Sequence, residues 1–246
     1  MRKRVGGGTG LGGAIALTFK TYAYEGNEAG FAEHDLEEYD AVAESLAFTR
    51  SLHCARKAFR LETLDTNESV RDRLVESTAS GNSKATGKLV HEFAHVVHGP
   101  ALTGGVGEEQ LRRFYGEFFA PLPPSYTVQL LSRTIGTDRV VDEMLVSFVH
   151  SQAVPWMLPG IPATNRRVEV IIVSIACVRG ERLESEHVYW DQASVLVQVG
   201  LLDAKLAVPE AMKGKGVKAL PVQGAESARA IKRGSSKFLN KGMSGW

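Results

Sequence analysis

Cysteine is scarce in this chain: its 246 residues hold two, Cys54 and Cys177. They lie far apart and form no C-x-x-C, so neither a disulfide framework nor a cysteine zinc site is indicated. Cys177 sits in a strongly apolar run and reads as a buried thiol. A surplus of one charge is also missing, with 29 Lys and Arg against 28 Asp and Glu. The molecule as a whole therefore lacks the basic excess of a nucleic-acid binder. No apolar run reaches the roughly 18 residues of a membrane span. There is no G-x-S-x-G, hence no nucleophile elbow of a serine hydrolase.

Glycine is plentiful at the N-terminus. "MRKRVGGGTGLGGAIALTF" has a basic start and a weakly apolar middle, but no small-residue cleavage site. A cytoplasmic protein is the default expectation. Gly8 to Gly13 form a formal G-x-G-x-x-G. A dinucleotide loop needs a buried strand before it and a helix after it; only "RKRV" precedes this one. Residues 1–30 read instead as a flexible glycine-rich arm.

The next segments carry helical spacing. Residues 33–64 place Leu36, Val42, Leu46, Leu52 and Phe59 at intervals that predict a long amphipathic helix. In "LDTNESVRDRLVESTAS", Asp65, Thr66 and Asn67 supply capping chemistry ahead of Val70, Leu74 and Val75. A third helical piece is expected through "SKATGKLVHE". "GGVGEEQLRRFYGEFFAPLPP" follows, with Glu108 and Glu109 in a first turn and prolines closing it. Four β-rich runs come next: "YTVQLLSRTIG", "RVVDEMLVSFVHS", "RRVEVIIVSIACV" and "RLESEHVYW". Gly180 marks a hairpin between the last two, and "DQASVLVQVGLL" reads as a closing helix.

Helices first and a mostly antiparallel sheet after argue for an α+β fold. The third run is apolar on both faces, so it is a central strand covered on both sides. Helices cover one side; a second subunit over the other makes a homodimer the expectation. Residues 205–246 are rich in Lys and Arg and read as a solvated basic tail, with a short helix in "LPVQGAESARAIKRG".

"GIPATNRRV" at 160–168 leads into a long strand. Then come the turn at Arg179 to Arg182, the acidic and aromatic strand from Glu186 to Asp191, and Gln198-Val199-Gly200. Together these resemble the SnoaL-like polyketide cyclases of the nuclear transport factor 2 superfamily, with fungal members looking most alike. Ala163, Asn165 and His187 depart from the family pattern. The resemblance covers about residues 65–204, behind a helical extension at 31–64, and is most specific over 138–202. It implies a cone-shaped, cystatin-like curved antiparallel sheet with N-terminal helices enclosing a pocket. It also implies cofactor-independent acid–base chemistry, of cyclase or isomerase type, on a small hydrophobic carbonyl compound.

Strand alternation puts His187, Tyr189 and Asp191 on one face and Glu186, Val188 and Trp190 on the other. The first set offers an imidazole, a phenol and a carboxylate close together. The resemblance makes Asp191 the expected base, its pKa raised by burial, and His187 its partner acid. Asp191 also directly precedes the closing helix and can serve as its N-cap; His187 can equally be a satisfied buried histidine. Further pocket candidates are His95, His98, Tyr189, Trp156, His150 and Arg133. Trp156, Met157 and Leu158, bounded by prolines, are read as a lid or a dimer contact.

"HEFAH" at 91–95 fits the zinc-protease pattern H-E-x-x-H, which requires one helix and a third ligand downstream. Gly99-Pro100 break the chain four residues after His95, and Glu117 is only a loose third ligand. The resemblance instead runs this segment into the first strand of the cone, where His95 and His98 point to opposite faces and one enters the cavity. No metal is assigned. A zinc hydrolase stays as a third reading, behind a non-catalytic ligand-binding or dimerisation module of the same fold.

Overall fold

The computed structural model describes residues 22, 24, 26–33, 35–60, 65–120, 122–136, 139–234, 237 and 239–243. The formal G-x-G-x-x-G and most of the expected arm lie outside them. The chain divides into two units, residues 1–62 and 63–246.

In the first unit, α1 (Ala41–Ala58) begins at Asp40, whose carboxylate accepts from the backbone N–H of Val42 at 2.9 Å and Ala43 at 2.8 Å. That cap explains why the helix starts eight residues later than apolar spacing predicts. Arg50 lies over the Tyr22 ring, 4.4 Å from its centroid.

The second unit is α+β. Its elements are α2 (Asp65–Ala79), α3 (Ser83–Leu89), β1 (Val90–His98), β2 (Thr103–Val106) and α4 (Gly107–Arg113). There follow a π-helical turn (Phe114–Phe119), β3 (Thr127–Ile135), β4 (Arg139–Val149), β5 (Arg167–Arg179), β6 (Arg182–Trp190) and α5 (Gln192–Val199). Two short helices, α6 (Glu210–Lys213) and α7 (Glu226–Arg233), come last. The sheet order is β2-β1-β6-β5-β4-β3. The four β-rich runs of the sequence are β3 to β6. The sheet is mixed rather than antiparallel throughout, because β1 joins β6 in parallel. Breaks in register at Leu130/Ser132, Cys177/Val178 and Val90/His95 are the bulges that bend such a sheet.

Hydrophobic alternation decides which face meets the helices. On β5, Val168, Val170, Ile172, Ser174 and Ala176 are buried; on β6, Glu186, Val188 and Trp190 are. These even-numbered residues form the inner face, on which α2 and the π-helical turn lie. The third strand run is thus central, between β4 and β6.

Beyond Trp190, β5 has no β6 partner. Gln198 of α5 takes that place: its carbonyl accepts from the Glu169 N–H at 2.8 Å and its amide donates to the Glu169 carbonyl at 3.0 Å. The helix ends at Gly200 with φ +82°, the left-handed form glycine adopts without cost.

Two expectations change. The C-terminal segment is docked rather than a solvated tail: Val208 and Ala228 are buried, Ser194 bonds the Gln223 carbonyl at 2.7 Å, and Arg229 meets Glu169 at 2.7 Å. Trp156, Met157 and Leu158 are neither lid nor dimer contact. All three are at most 2% exposed, inside the core; their loop is pinned by hydrogen bonds of His150, just after β4, and of Gln192 in α5.

Candidate functional site

A cavity opens between the inner sheet face, α2 and the π-helical turn. The cavity and the open solvent at its mouth together hold about 680 Å³ of empty space. Its walls are apolar: Leu74, Phe119, Tyr126, Met144, Val146 and Ile172 among others. Arg71, Ser174 and Glu186 supply polar groups to its lining, and His98 and Tyr115 stand beside them.

Sheet register builds this site. Arg133 of β3 faces Asp142 of β4, Asp142 faces Ser174 of β5, Ser174 faces Val188 of β6, and Val188 faces His98 of β1. One row across five strands thus carries four polar residues on the inner face. Glu186 stands one step along β6. From above, α2 buries Asn67, Val70, Arg71, Leu74 and Thr78 at helical spacing, which sets Arg71 over the row.

Arg71 donates to Asp142 at 2.8 Å, Glu186 at 2.8 Å and Ser174 at 2.9 Å. Ser174 donates to Glu186 at 2.7 Å, and Tyr115 donates to the other Glu186 oxygen at 3.1 Å. The π-helical turn, closed by the Ala120 N–H on the Tyr115 carbonyl, points Tyr115 and Phe119 at one cavity. Such wider turns recur at functional sites.

Charge follows geometry. Burial alone would raise the Glu186 carboxyl, but the Arg71 charge and the Ser174 hydrogen bond hold it below its usual value. Asp142 is held down in the same way by Arg133 and Arg71 against burial. Burial and the neighbouring Glu186 charge push Tyr115 well above the ordinary phenol value, so it stays a donor. Burial lowers His98 to about 4, against the opposing pull of Glu186 and the Trp156 backbone. His98 is therefore a neutral imidazole near pH 7.

His98 lies in an aromatic cage. Its ring meets Phe114, Trp156 and Trp190 edge-on, with centroids 5.2, 5.5 and 5.8 Å away. His98 Nδ1 and Trp156 Nε1 are both buried, and neither has a hydrogen-bond partner among the described residues. A buried polar atom left unpaired costs about 1–3 kcal/mol. Both atoms belong to residues that line the cavity.

The structure gathers some of the expected site residues and disperses others. His98 and Trp156 line the cavity. His187, Tyr189 and Asp191 do not, so the expected acid–base set is on the wrong side of β6. Val188 and Trp190 are the larger apolar residues and take the inner face, which turns His187 and the half-exposed Tyr189 outward. Asp191 is exposed, and its carboxylate caps α5 through the Ser194 N–H at 3.2 Å. His95 is also turned outward, its Nε2 3.2 Å from that of His187. His150 is buried away from the cavity lining, with Nδ1 3.1 Å from the Thr164 hydroxyl. Arg133 is spent on Asp142, at 2.6 Å, and on Asp72, at 2.7 Å.

HEFAH lies on a strand. Extended chain holds residues i and i+4 about 13 Å apart, so His91 and His95 cannot share one ion as they would on a helix. Among the described residues no group of three or more His, Cys, Asp or Glu side chains is placed to hold a metal.

Arg71, Tyr115, Asp142, Ser174 and Glu186 were not among the expected site residues. The available signal was parity: Asp142, Ser174 and Glu186 interrupt the buried, apolar phase of their strands.

No protein-family model and no curated protein sequence matches this chain. Among solved structures it is similar to a candidate SnoaL-like polyketide cyclase from Jannaschia sp. CCS1, at 15% identity and a TM-score of 0.48, over 56% of this chain and 94% of that one. It is similar to IdmH from Streptomyces antibioticus, a candidate polyketide cyclase, at 21% identity and a TM-score of 0.42, over 54% and 97%. A third is a hypothetical protein of ketosteroid isomerase-like fold from Catenulispora acidiphila DSM 44928, in complex with trimethylamine, at 20% identity and a TM-score of 0.43, over 54% and 93%. Each likeness is one of fold.

Proposed function

We propose that the second unit is a cofactor-independent acid–base enzyme acting on a small, neutral, hydrophobic carbonyl compound of the polyketide type. The observation that carries this reading is an apolar cavity lined by His98, Trp156 and Glu186, where the buried His98 Nδ1 and Trp156 Nε1 have no partner among the described residues. A buried neutral imidazole accepts a proton without first losing one. With its own proton on Nε2, Nδ1 offers a lone pair to an acidic C–H between two carbonyls. The C–H bond breaks, the proton goes to Nδ1 and the electron pair becomes an enolate. The Trp156 N–H bonds the enolate oxygen, and the Glu186 carboxylate stabilises the imidazolium. The enolate carbon then attacks a second carbonyl, and the new alkoxide takes the proton back from His98. The step is an isomerisation, with atoms and charge balanced.

Arg71 holds Glu186 ionised and fixed rather than touching substrate. The Glu186 carboxylate already accepts from Arg71, Ser174 and Tyr115 and Asp191 lies off the cavity lining, so we assign the proton-accepting role to His98, whose Nδ1 has no partner among the described residues. The same reading takes the outer sheet face as the contact of a homodimer, supported by the half-buried Val141, Leu145, Ile171, Val173 and Ile175.

The test is hydrogen–deuterium exchange at the central carbon of small aromatic 1,3-diketones in D2O, followed by NMR. Wild-type protein accelerates exchange over buffer, and His98→Asn lowers the acceleration by about 100-fold or more. Equal exchange with both proteins overturns the assignment.

A further inference from the structure

Half of the HEFAH motif finds another partner. His95 of β1 and His187 of β6 lie on neighbouring parallel strands, diagonal to each other across the register. Both rings are half-buried on the outer sheet face, away from the cavity. Their Nε2 atoms are 3.2 Å apart, with ring centroids 5.3 Å apart and planes tilted by 43°.

The separation has a chemical meaning. Imidazole nitrogens bind zinc and its neighbours at about 2.0–2.1 Å, so two of them at roughly 100° around one ion stand about 3.2 Å from each other. The two nitrogens are already at that spacing, and sheet backbones fix both Cα positions, so little ordering is left for an ion to bring about. Register sets Ile175 and Val97 beside His187 and Val106 beside His95; Ser185 and Tyr189 are the polar residues next to the pair. His91, the first histidine of HEFAH, instead faces Glu184 at 3.8 Å.

We infer that His95 and His187 form a two-imidazole site for one divalent transition-metal ion of the Ni²⁺, Cu²⁺ or Zn²⁺ type, with water completing the coordination. Binding requires both Nε2 lone pairs. The hydrogen the rings now share moves to Nδ1 of its own ring, so both rings carry their proton on Nδ1 and no covalent bond between heavy atoms changes. The ligand set is soft enough for copper, nickel and zinc and unsuited to Mg²⁺ or Ca²⁺.

The test uses the full chain, titrated with Ni²⁺ by calorimetry and with Cu²⁺ by electron paramagnetic resonance. One ion binds per chain, and the copper spectrum carries two imidazole nitrogens. His95→Asn and His187→Asn each weaken binding on the order of 10-fold or more, with unchanged circular dichroism. A chain carrying His34→Asn, His53→Asn and His91→Asn together binds as wild type. His187→Cys retains Zn²⁺ through its thiolate, which separates loss of a ligand from loss of local structure. Binding that survives both His95→Asn and His187→Asn overturns the site, as does a copper spectrum with one nitrogen. Neither result bears on the cavity, whose residues lie on the opposite face.

Discussion

At the scale of single residues, His98 and Arg71 are the most exacting positions. His98 is buried neutral, so its proton affinity couples to folding. The unfolded chain protonates it near 6.5, the folded chain only near 4. Between those values the unfolded state binds more protons, so stability rises with pH there and falls as the solution is acidified, by up to about 1.4 kcal/mol per pH unit. Urea midpoints at pH 7 and pH 4.5 should therefore differ more in wild type than in His98→Phe, which keeps the aromatic cage filled and has nothing to titrate. Equal pH slopes in the two proteins would show that the imidazole is not buried neutral. Glu186 and Asp142 act in a lower window. Their folded values are depressed, so their contribution is full above the ordinary carboxylate range and is lost as pH falls below it. Arg71 holds both. Arg71→Leu leaves Glu186 buried without its cation and should cost about 3–5 kcal/mol. In a double-mutant cycle with Glu186→Gln, part of that loss should be recovered; strict additivity would mean the two are not coupled.

At the scale of elements, much was legible and the misreadings have identifiable causes. Strands β3 to β6 follow from the four β-rich runs, and α2 and α5 from helical spacing, with Asp191 capping α5. The first strand was placed by the resemblance and not by local pattern, because Leu89, Phe93, Val96 and Val97 also fit a helical stripe and H-E-x-x-H belongs on a helix. Strand pairing with β6 overrode that local preference. The parity of β6 was legible, since Val188 and Trp190 are apolar where His187, Tyr189 and Asp191 are polar. The cluster of chemically capable side chains suggested the pocket, while binary pattern put it outside. Arg71 was hidden because one arginine on a helix resembles any surface arginine until Asp142, Ser174 and Glu186 are seen opposite. Asp191 tests this lesson. As the N-cap of α5 its replacement by Ala should cost about 0.5–2 kcal/mol. Asp191→Asn, which caps equally well, should keep both stability and proton exchange. Loss of exchange in Asp191→Asn with an intact fold would return the catalytic base to Asp191.

At the scale of the whole molecule, the two sheet faces carry different burdens. The inner face is closed by α2 and the π-helical turn and encloses the cavity. The outer face of β4 and β5 carries Val141, Leu145, Ile171, Val173 and Ile175, paired in register as Val141 with Ile175 and Leu145 with Ile171. These five apolar side chains remain only half-buried, and the homodimer proposed above would cover them. A two-fold contact through this face would set the same strands of two copies against each other, the self-complementary arrangement that closed dimers use. Light scattering behind size exclusion should then give twice the chain mass. Val173→Glu puts a charge at the centre of the patch, beside Glu143 in the register, and should release monomers. Because Val173 faces away from the cavity, those monomers should keep the wild-type dependence of proton exchange on His98. A wild-type protein that runs as a monomer at tens of micromolar would rule this face out as the contact, and a Val173→Glu protein that stays dimeric would move the contact elsewhere.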